Sequence, residues 1–416
     1  LKAWVFCRLS STRPRCYMGS LTCCAIASFE PAGKNRVDQG PGPPVTDDAI
    51  AKQLRDWESE ARLGVKTLGS MRRRAEDYSD RHQGLLFEAL RSGDIALVKG
   101  CYFQLQEQRG DGIRRRQEIA QEYLWQPEEA VHRWRSSDGF FLAVSHAWHA
   151  ATEPDPSRHS LGRLARVVRE WKRQFAIEEV GVFFDFASLY QRPWAPPQDA
   201  AFRRALLVMD VVFGHQKTVV LQLAGLPRGV LPRLEDRGWV AFEHCAADAK
   251  YLAGGTVLRF DEDFFPTQLT VDLSGRSRHR SGRRPLPAPP VFEKRLREEL
   301  RFREAPDSAL VKAMYRACFV EVARLENLNL ACLSWGVADM RRLCQVLPYF
   351  RQLRSLDLRE NPELGDAGVD LLGILLPRLT RLVMLVVLDC GVSPLGEEML
   401  WRVWQELGRE KEGLRV

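Results

Sequence analysis

The stretch FFLAVSHAW at residues 140–148 decides the fold class of this chain, because an apolar run ends there in polar and aromatic side chains. Two runs of the same kind follow, VGVFFD at 180–185 and KTVVLQ at 217–222, with helical spacing of apolar residues between them. Near-continuous apolar strands joined by amphipathic helices are typical of a parallel sheet covered on both faces. The sequence therefore predicts an α/β domain with a parallel sheet.

Polar side chains follow the first two predicted strands. Ser145 and His146 come at the end of the first strand, and Asp185 and Ser188 at the end of the second. Ligands of open α/β sheets bind beyond the carboxyl ends of the strands. We therefore expect these four side chains at the ligand-binding edge.

Four blocks of sequence between residues 140 and 243 resemble, in their order, the fungal heterokaryon-incompatibility (HET) domain. They are FLAVSHAW, VGVFFDFASLYQ, MDVVFGHQKTVVL and RGWVAFE. The same order is similar to that of the distantly related TIR domain. The resemblance implies a flavodoxin-like parallel-sheet domain over residues 136–273. The sequence departs from the HET pattern at His149, where Gly is usual, and in a Pro-rich insert at 192–197.

The fourth block carries an acid with a chemical role in the resembled family. In TIR domains that cleave NAD, the catalytic Glu lies four residues after a Trp on a helix, and Trp239 and Glu243 have that spacing. This spacing puts both side chains on one helix face. The resemblance implies that Glu243 is a catalytic carboxylate, which would stabilise an oxocarbenium-like ribose. NAD would then be the substrate rather than a cofactor, and its contacts would be Ser145, Trp148, Asp185, Ser188 and Trp239.

Each of these residues also has a structural interpretation. Asp185 could order a loop, Trp239 could pack in the core, and Glu243 could be a surface acid. The sequence has no P-loop, no Gly-rich dinucleotide fingerprint and no Gly-x-Ser-x-Gly motif. His146 and His149 have no third ligand in register, so no metal site is predicted.

The C-terminal part contains an internal repeat with periods of 28 and 29 residues. The leucine pattern recurs at 325–330, 353–358 and 382–387. It resembles leucine-rich repeats of the ribonuclease-inhibitor type, in which a helix returns each strand. We expect adjacent parallel strands in a short α/β solenoid over residues 292–416, with capping helices at 309–325 and 397–407. The strand positions expected to face a protein partner are Arg354, Ser355, Asp357 and Arg359.

The remaining segments complete the predicted domain organisation. Residues 1–45 have the composition of a disordered leader, and residues 46–135 have helical periodicity. Residues 274–291 are rich in arginine and proline, which predicts a linker.

Composition limits the partners and the compartment. The net charge of +7 is carried mainly by arginine clusters without any zinc-finger, RRM or helix-turn-helix pattern, so nucleic acid is not expected. Ten cysteines without a CxxC pair indicate reduced thiols and a cytoplasmic protein. No apolar run has the length of a membrane span. Membrane binding is expected only if Met18 were the initiator and Gly19 were acylated together with the following cysteines.

The sequence leaves two functions open. One is a signalling protein of intracellular immune type, which binds protein partners through its repeats and self-associates through its α/β domain. The other is a TIR-like NAD glycohydrolase with Glu243 as the catalytic carboxylate. We expect the first, because fold alone does not establish activity.

Overall fold

The computed structural model describes residues 46–64, 78–137, 139–150, 152–227, 229–230, 233–251, 257–260, 283–303 and 305–416. The predicted leader, 1–45, lies outside the described residues. The helices are α1 (Asp47–Gly64), α2 (Tyr78–Arg91), α3 (Gly100–Arg109), α4 (Pro127–Ser136), α5 (His159–Phe175), α6 (Asp185–Ser188), α7 (Pro196–Leu206), α8 (Met209–Gly214), α9 (Gly238–Asp248), α10 (Pro289–Glu298), α11 (Ala305–Val322), α12 (Val337–Val346), α13 (Gly365–Leu375) and α14 (Pro394–Glu406). The strands are β1 (Val98–Lys99), β2 (Phe141–Ser145), β3 (Gly181–Phe183), β4 (Thr218–Leu223), β5 (Val257–Phe260), β6 (Asn327–Asn329), β7 (Ser355–Asp357), β8 (Met384–Val386) and β9 (Leu414–Arg415).

The first sheet has the strand order β1-β3-β2-β4-β5, with β2 to β5 parallel. The three strands predicted from apolar runs are β2, β3 and β4, so the predicted parallel sheet is confirmed. In the register of the sheet, Leu142 of β2 lies opposite Val182 and Val219. The central strand β2 is buried along its whole length, as its apolar sequence requires.

The two faces of this sheet belong to different apolar clusters. Leu142 and Val144 pack with helix α5, whose buried stripe includes Leu161 and Val168. Phe141 and Ala143 point to the opposite face and pack with α8 and α9. This alternation follows from the two-residue period of a strand. The sheet is therefore covered on both sides.

The segment 46–135 is not a separate helical region. Its strand β1 adds to the edge of the first sheet, antiparallel to β3, with Val98 opposite Val182. A strand of two residues has no periodicity that the sequence could reveal. Helix α1 instead packs against the C-terminal half, where Trp57 stacks on Tyr349 with ring centroids 5.8 Å apart.

The second sheet is parallel throughout, with the order β6-β7-β8-β9. Leu328, Leu356, Leu385 and Leu414 lie side by side across it, and the predicted adjacency of the first three strands is confirmed. The helix predicted as a cap at 397–407 is α14, and β9 follows it as a fourth strand. Asn361 joins successive repeats, since its buried amide donates to the carbonyl oxygens of residues 330 and 358 at 2.9 and 2.6 Å.

The predicted linker is packed over the residues that the structure describes. Residues 274–282 lie outside them, but Leu286 and Ala288 are buried and α10 begins at Pro289. The hydroxyl of Tyr315 on α11 donates to the carbonyl oxygen of Pro287 at 2.5 Å. The Pro-rich composition therefore belongs to an extended segment that lies against the fold.

A buried lysine connects the two sheets. Lys250 is 1% exposed, and its Nζ donates to the carbonyl oxygens of His215 and, at 2.9 Å, Thr218. The guanidinium of Arg283 donates to the carbonyl oxygen of Lys250, and Trp335 of the repeats donates to that of Arg283 at 3.1 Å. A buried ammonium is tolerated only with such partners. This chain of bonds runs from the start of β4 to the first repeat.

Among the described residues, no helix combines the length and the apolar character that crossing a membrane would take.

Replacing Leu356 by Ala should lower the free energy of unfolding by about 2–5 kcal/mol, because the side chain is fully buried in the second sheet. The matched control is Ile374→Ala on α13, whose side chain is 78% exposed, and it should change stability by less than about 0.5 kcal/mol. Urea denaturation of both variants measures the difference. Equal effects would contradict the register of the repeats.

Stability should fall as the pH is lowered below 6.5, partly because of His215. Burial, together with the charges of Lys250 and Lys217, lowers the pKa of His215 from 6.5 to about 3. Between these values the unfolded state binds a proton that the folded state does not. His215 therefore lowers the free energy of unfolding by up to about 1.4 kcal/mol for each pH unit. His215→Asn should reduce that slope in denaturation series from pH 7 to 5. The exposed His132, changed to Asn, should leave it unaltered, and equal slopes in both variants would refute the assignment.

Candidate functional site

A cavity of about 840 Å³ opens beyond the carboxyl ends of β2 and β3, and we call it the main cavity. Four of the predicted site residues line it: Trp148, Asp185, Trp239 and Glu243. Its walls are mostly aromatic and aliphatic, with contributions from Phe183, Trp194, Phe202, Leu206, Met209, Phe213 and Phe242. Apolar walls with a few placed polar groups are the usual composition of a small-molecule site.

Glu243 lies on α9 and is bound to the end of the central strand. The hydroxyl of Ser145 donates to Glu243 Oε2 at 2.8 Å, within the buried part of the site. Trp239, one helical turn before Glu243, lines the same cavity. Both side chains reach the cavity because they lie on one face of α9, as their spacing predicts.

The position of α9 is fixed by close packing at its first turn. A Cβ on Gly238 would come within 1.9 Å of the ring of Phe302, so only glycine permits this approach. The indole Nε1 of Trp239 donates to Asp307 Oδ2 of α11 at 2.8 Å. The helix next to the repeats therefore holds one wall of the main cavity.

Asp185 organises the edge of the cavity through three hydrogen bonds. It accepts from the backbone N–H of Phe186 at 2.7 Å and from the indole of Trp148 at 2.8 Å. The Nε2 atom of His146 lies 2.9 Å from its Oδ1, and because a carboxylate accepts, Nε2 carries the proton. The loop-ordering interpretation of Asp185 therefore accounts for its contacts, and its carboxylate orients Trp148 towards the ligand space.

The structure does not bring Ser188 to the main cavity. Its hydroxyl is fully buried, accepts from the backbone N–H of Phe184 at 3.0 Å, and lies 3.4 Å from the carbonyl oxygen of Val182. These bonds close the turn after β3. Of the five residues expected to contact NAD, Ser188 is therefore structural, and Ser145 reaches the site through Glu243.

Arginines at the rim were missed as site residues by the sequence analysis. Arg114, Arg115 and Arg192 line the main cavity, and the guanidinium of Arg115 donates to the carbonyl oxygen of Arg192 at 3.0 Å. The cluster at 114–116 is visible in the sequence, but its members separate in the fold. Arg116 is buried and donates to the carbonyl oxygen of Asp94 at 2.9 Å.

Among the described residues, no group of three or more His, Cys, Asp or Glu side chains could hold a metal ion. Charged side chains of both signs line the main cavity. The carboxylates are those of Asp111, Glu118, Glu153, Asp185 and Glu243, and the guanidinium groups are those of Arg114, Arg115 and Arg192. Arg115 is ion-paired with Glu118. Such a site has carboxylates that can bind a cationic or polar group and guanidinium groups that can bind an anionic group.

The bond between Ser145 and Glu243 can be measured by a double-mutant cycle. Ser145→Ala and Glu243→Ala should show a coupling energy of roughly 0.5–3 kcal/mol in the free energy of unfolding, the range for hydrogen bonds to neutral and charged acceptors. The control pairs Glu243→Ala with Ser136→Ala, at the end of α4, and should be additive. A coupling near zero in the first cycle would contradict the contact.

Comparison with known proteins does not assign this chain to a family. No protein-family model, no curated protein and no solved structure matches it.

Proposed function

We propose that the protein cleaves the bond between nicotinamide and ribose in NAD, with Glu243 as the catalytic carboxylate. The observation that carries this proposal is the position of Glu243, which lines the main cavity with Trp148 and Trp239 and is oriented by Ser145. A surface acid would have neither the cavity nor the hydrogen-bond partner.

The proposed reaction consumes NAD and water and yields nicotinamide, ADP-ribose and a proton. The bond from ribose C1′ to the ring nitrogen breaks, and its electron pair goes to nicotinamide, which leaves as a neutral molecule. The ribose becomes oxocarbenium-like, and the Glu243 carboxylate stabilises that positive charge. A water oxygen then bonds to C1′ and its proton passes to solvent. No other co-reactant is needed.

The remainder of the main cavity supports a dinucleotide substrate. A volume of about 840 Å³ lies within the range of roughly 300–1,000 Å³ for small-molecule sites. Trp148 and Trp239 offer aromatic surface for the nicotinamide ring, and the guanidinium groups of Arg114 and Arg192 match the charge of a diphosphate. The carboxylate of Glu243 and these guanidinium groups thus suit the cationic nicotinamide ring and the diphosphate of NAD.

We also propose the finer fold assignments and the family context. The parallel order β3-β2-β4-β5 supports a flavodoxin-like domain of TIR or HET type, and the aligned leucines of β6 to β9 support a leucine-rich-repeat solenoid. Together they suit a cytoplasmic protein of immune-type signalling. The thiols of Cys245 and Cys390, both buried and free, fit a reducing compartment.

Protein binding by the repeats is the second candidate function. Val383, Met384 and Leu388 are apolar side chains exposed on or beside β8, which favours a partner with an apolar surface. Of the positions predicted to face a partner, Arg354 and Arg359 are exposed. Asp357 is buried, however, and its carboxylate accepts from Arg359 at 2.8 Å, so it orients that arginine instead.

Purified protein should release nicotinamide from NAD, and Glu243→Gln should abolish the release, because the amide lacks the charge that stabilises the oxocarbenium-like state. Chromatography of nicotinamide over a series of protein concentrations measures this, since TIR-like sites are commonly completed by a neighbouring subunit. The control Glu122→Gln changes an exposed acid outside the cavity and should retain activity.

Circular dichroism should show that both variants remain folded. Release that survives Glu243→Gln would move the chemistry to another residue. No release at any protein concentration would leave protein binding by the repeats as the function.

A further inference from the structure

Trp148 and Trp239 form a wall that two cavities share. Both indoles line the main cavity, and both also line a second cavity of about 140 Å³ beside the first turn of α9. Each indole donates from Nε1 to one buried carboxylate at 2.8 Å, Trp148 to Asp185 Oδ2 and Trp239 to Asp307 Oδ2. The orientation of each ring therefore depends on one acid.

The two acids belong to different parts of the fold. Asp185 begins α6 at the end of β3, whereas Asp307 lies in the first turn of α11, next to the repeats. Asp307 is 1% exposed, and it lines the second cavity but not the main cavity. Asp307 therefore acts on a ligand in the main cavity only through Trp239.

The backbone next to Trp239 is fixed independently of its side chain. The backbone N–H of Gly238 donates to the carbonyl oxygen of Arg301 at 3.0 Å, and the N–H of Arg301 donates to that of Asp236 at 2.6 Å. These two bonds tie the start of α9 to the segment before α11. Only the rotation of the indole about its side-chain bonds remains to be set.

The hydrogen bond to Asp307 sets that rotation. The second side-chain torsion of tryptophan has a broad distribution, so packing alone permits more than one ring orientation. Indole has a single N–H donor, and a buried donor without an acceptor costs free energy. The bond therefore favours the orientation in which Nε1 points to α11 and the ring lines the main cavity.

We propose that Asp307 is a positioning residue for NAD cleavage, which holds the indole of Trp239 in the plane that stacks on the nicotinamide ring. The inference rests on the proposed function of the main cavity and adds to it a residue from outside the first sheet. Stacking depends on how two ring faces overlap, so an indole that rotates loses the contact although it stays in the wall. ADP-ribose lacks the nicotinamide ring, and its binding should therefore not depend on Asp307.

Isothermal titration calorimetry with NAD tests this in full chains that carry Glu243→Gln, which prevents cleavage during the titration. Adding Asp307→Leu should weaken NAD binding about tenfold, the order expected for the loss of one stacked ring. Asp307→Asn should restore most of the affinity, because the amide oxygen can still accept from Trp239 Nε1. ADP-ribose should bind to all three proteins equally.

The matched control is Asp339→Leu in the same Glu243→Gln background. Asp339 lies in the first turn of α12, where it accepts from the backbone N–H of Gly336 at 3.3 Å, and it lines neither cavity. Its replacement disturbs the start of a helix and should leave both affinities unchanged. Should Asp307→Leu not fold, Trp239→Phe removes the same N–H donor from the other partner and should separate the two ligands in the same way.

Kinetics of proteins with Glu243 intact give a second measurement. Asp307→Leu should raise the KM for NAD about as much as it raises the Kd, and Asp307→Asn should raise it far less. Equal losses of affinity for NAD and ADP-ribose, or an Asp307→Asn protein as weak as Asp307→Leu, would overturn the inference.

The inference and the proposed function can fail separately. Cleavage of NAD with a Kd that does not respond to Asp307→Leu would overturn the inference and leave the proposed function intact. A Kd that does respond, without cleavage by the protein that retains Glu243, would overturn the function and leave the positioning of Trp239 intact. No saturable binding of NAD would overturn both.

Discussion

The structure depends on the burial of α9 on every side. Nine of its residues are buried. It contacts strand β2 of the first sheet, the neighbouring helix α8, and helix α11 next to the repeats. Because Gly238 meets Phe302 and Trp239 binds Asp307, the helix can neither slide nor rotate without breaking packing in both halves. The same helix carries Glu243, so the constraint that joins the halves also sets the floor of the main cavity.

The parts of the fold that the sequence predicts are those with long or repeated apolar patterns. The stretch 140–145 contains five consecutive apolar residues, all of them buried, and the leucines of the repeats recur at nearly constant spacing. Strands β1 and β9 were not predicted, because a strand of two residues shows no hydrophobic periodicity. The prediction of a linker at 274–291 missed the packing of residues 286–290, because proline-rich composition is common to free linkers and to extended chain packed on a surface.

The residues of the candidate site were likewise predicted only in part. Spacing and resemblance selected Trp239 and Glu243, since both depend on one helix face. The hydrogen bond between Ser145 and Glu243 joins residues about 100 positions apart in the sequence. Tertiary packing brings them together, and no local sequence pattern predicts it. Asp185 illustrates the converse, because a carboxylate at a strand end gives the same sequence signal whether it meets a ligand or holds neighbouring side chains.

The packing of α1 against the repeats has a consequence for synthesis on the ribosome. Trp57 emerges about 290 residues before its stacking partner Tyr349. At roughly 5–20 residues per second, an interval of about 15–60 s separates the two. During that time Trp57 lacks this stacking partner. The stack of Trp57 on Tyr349 can therefore form only after the repeats have been translated.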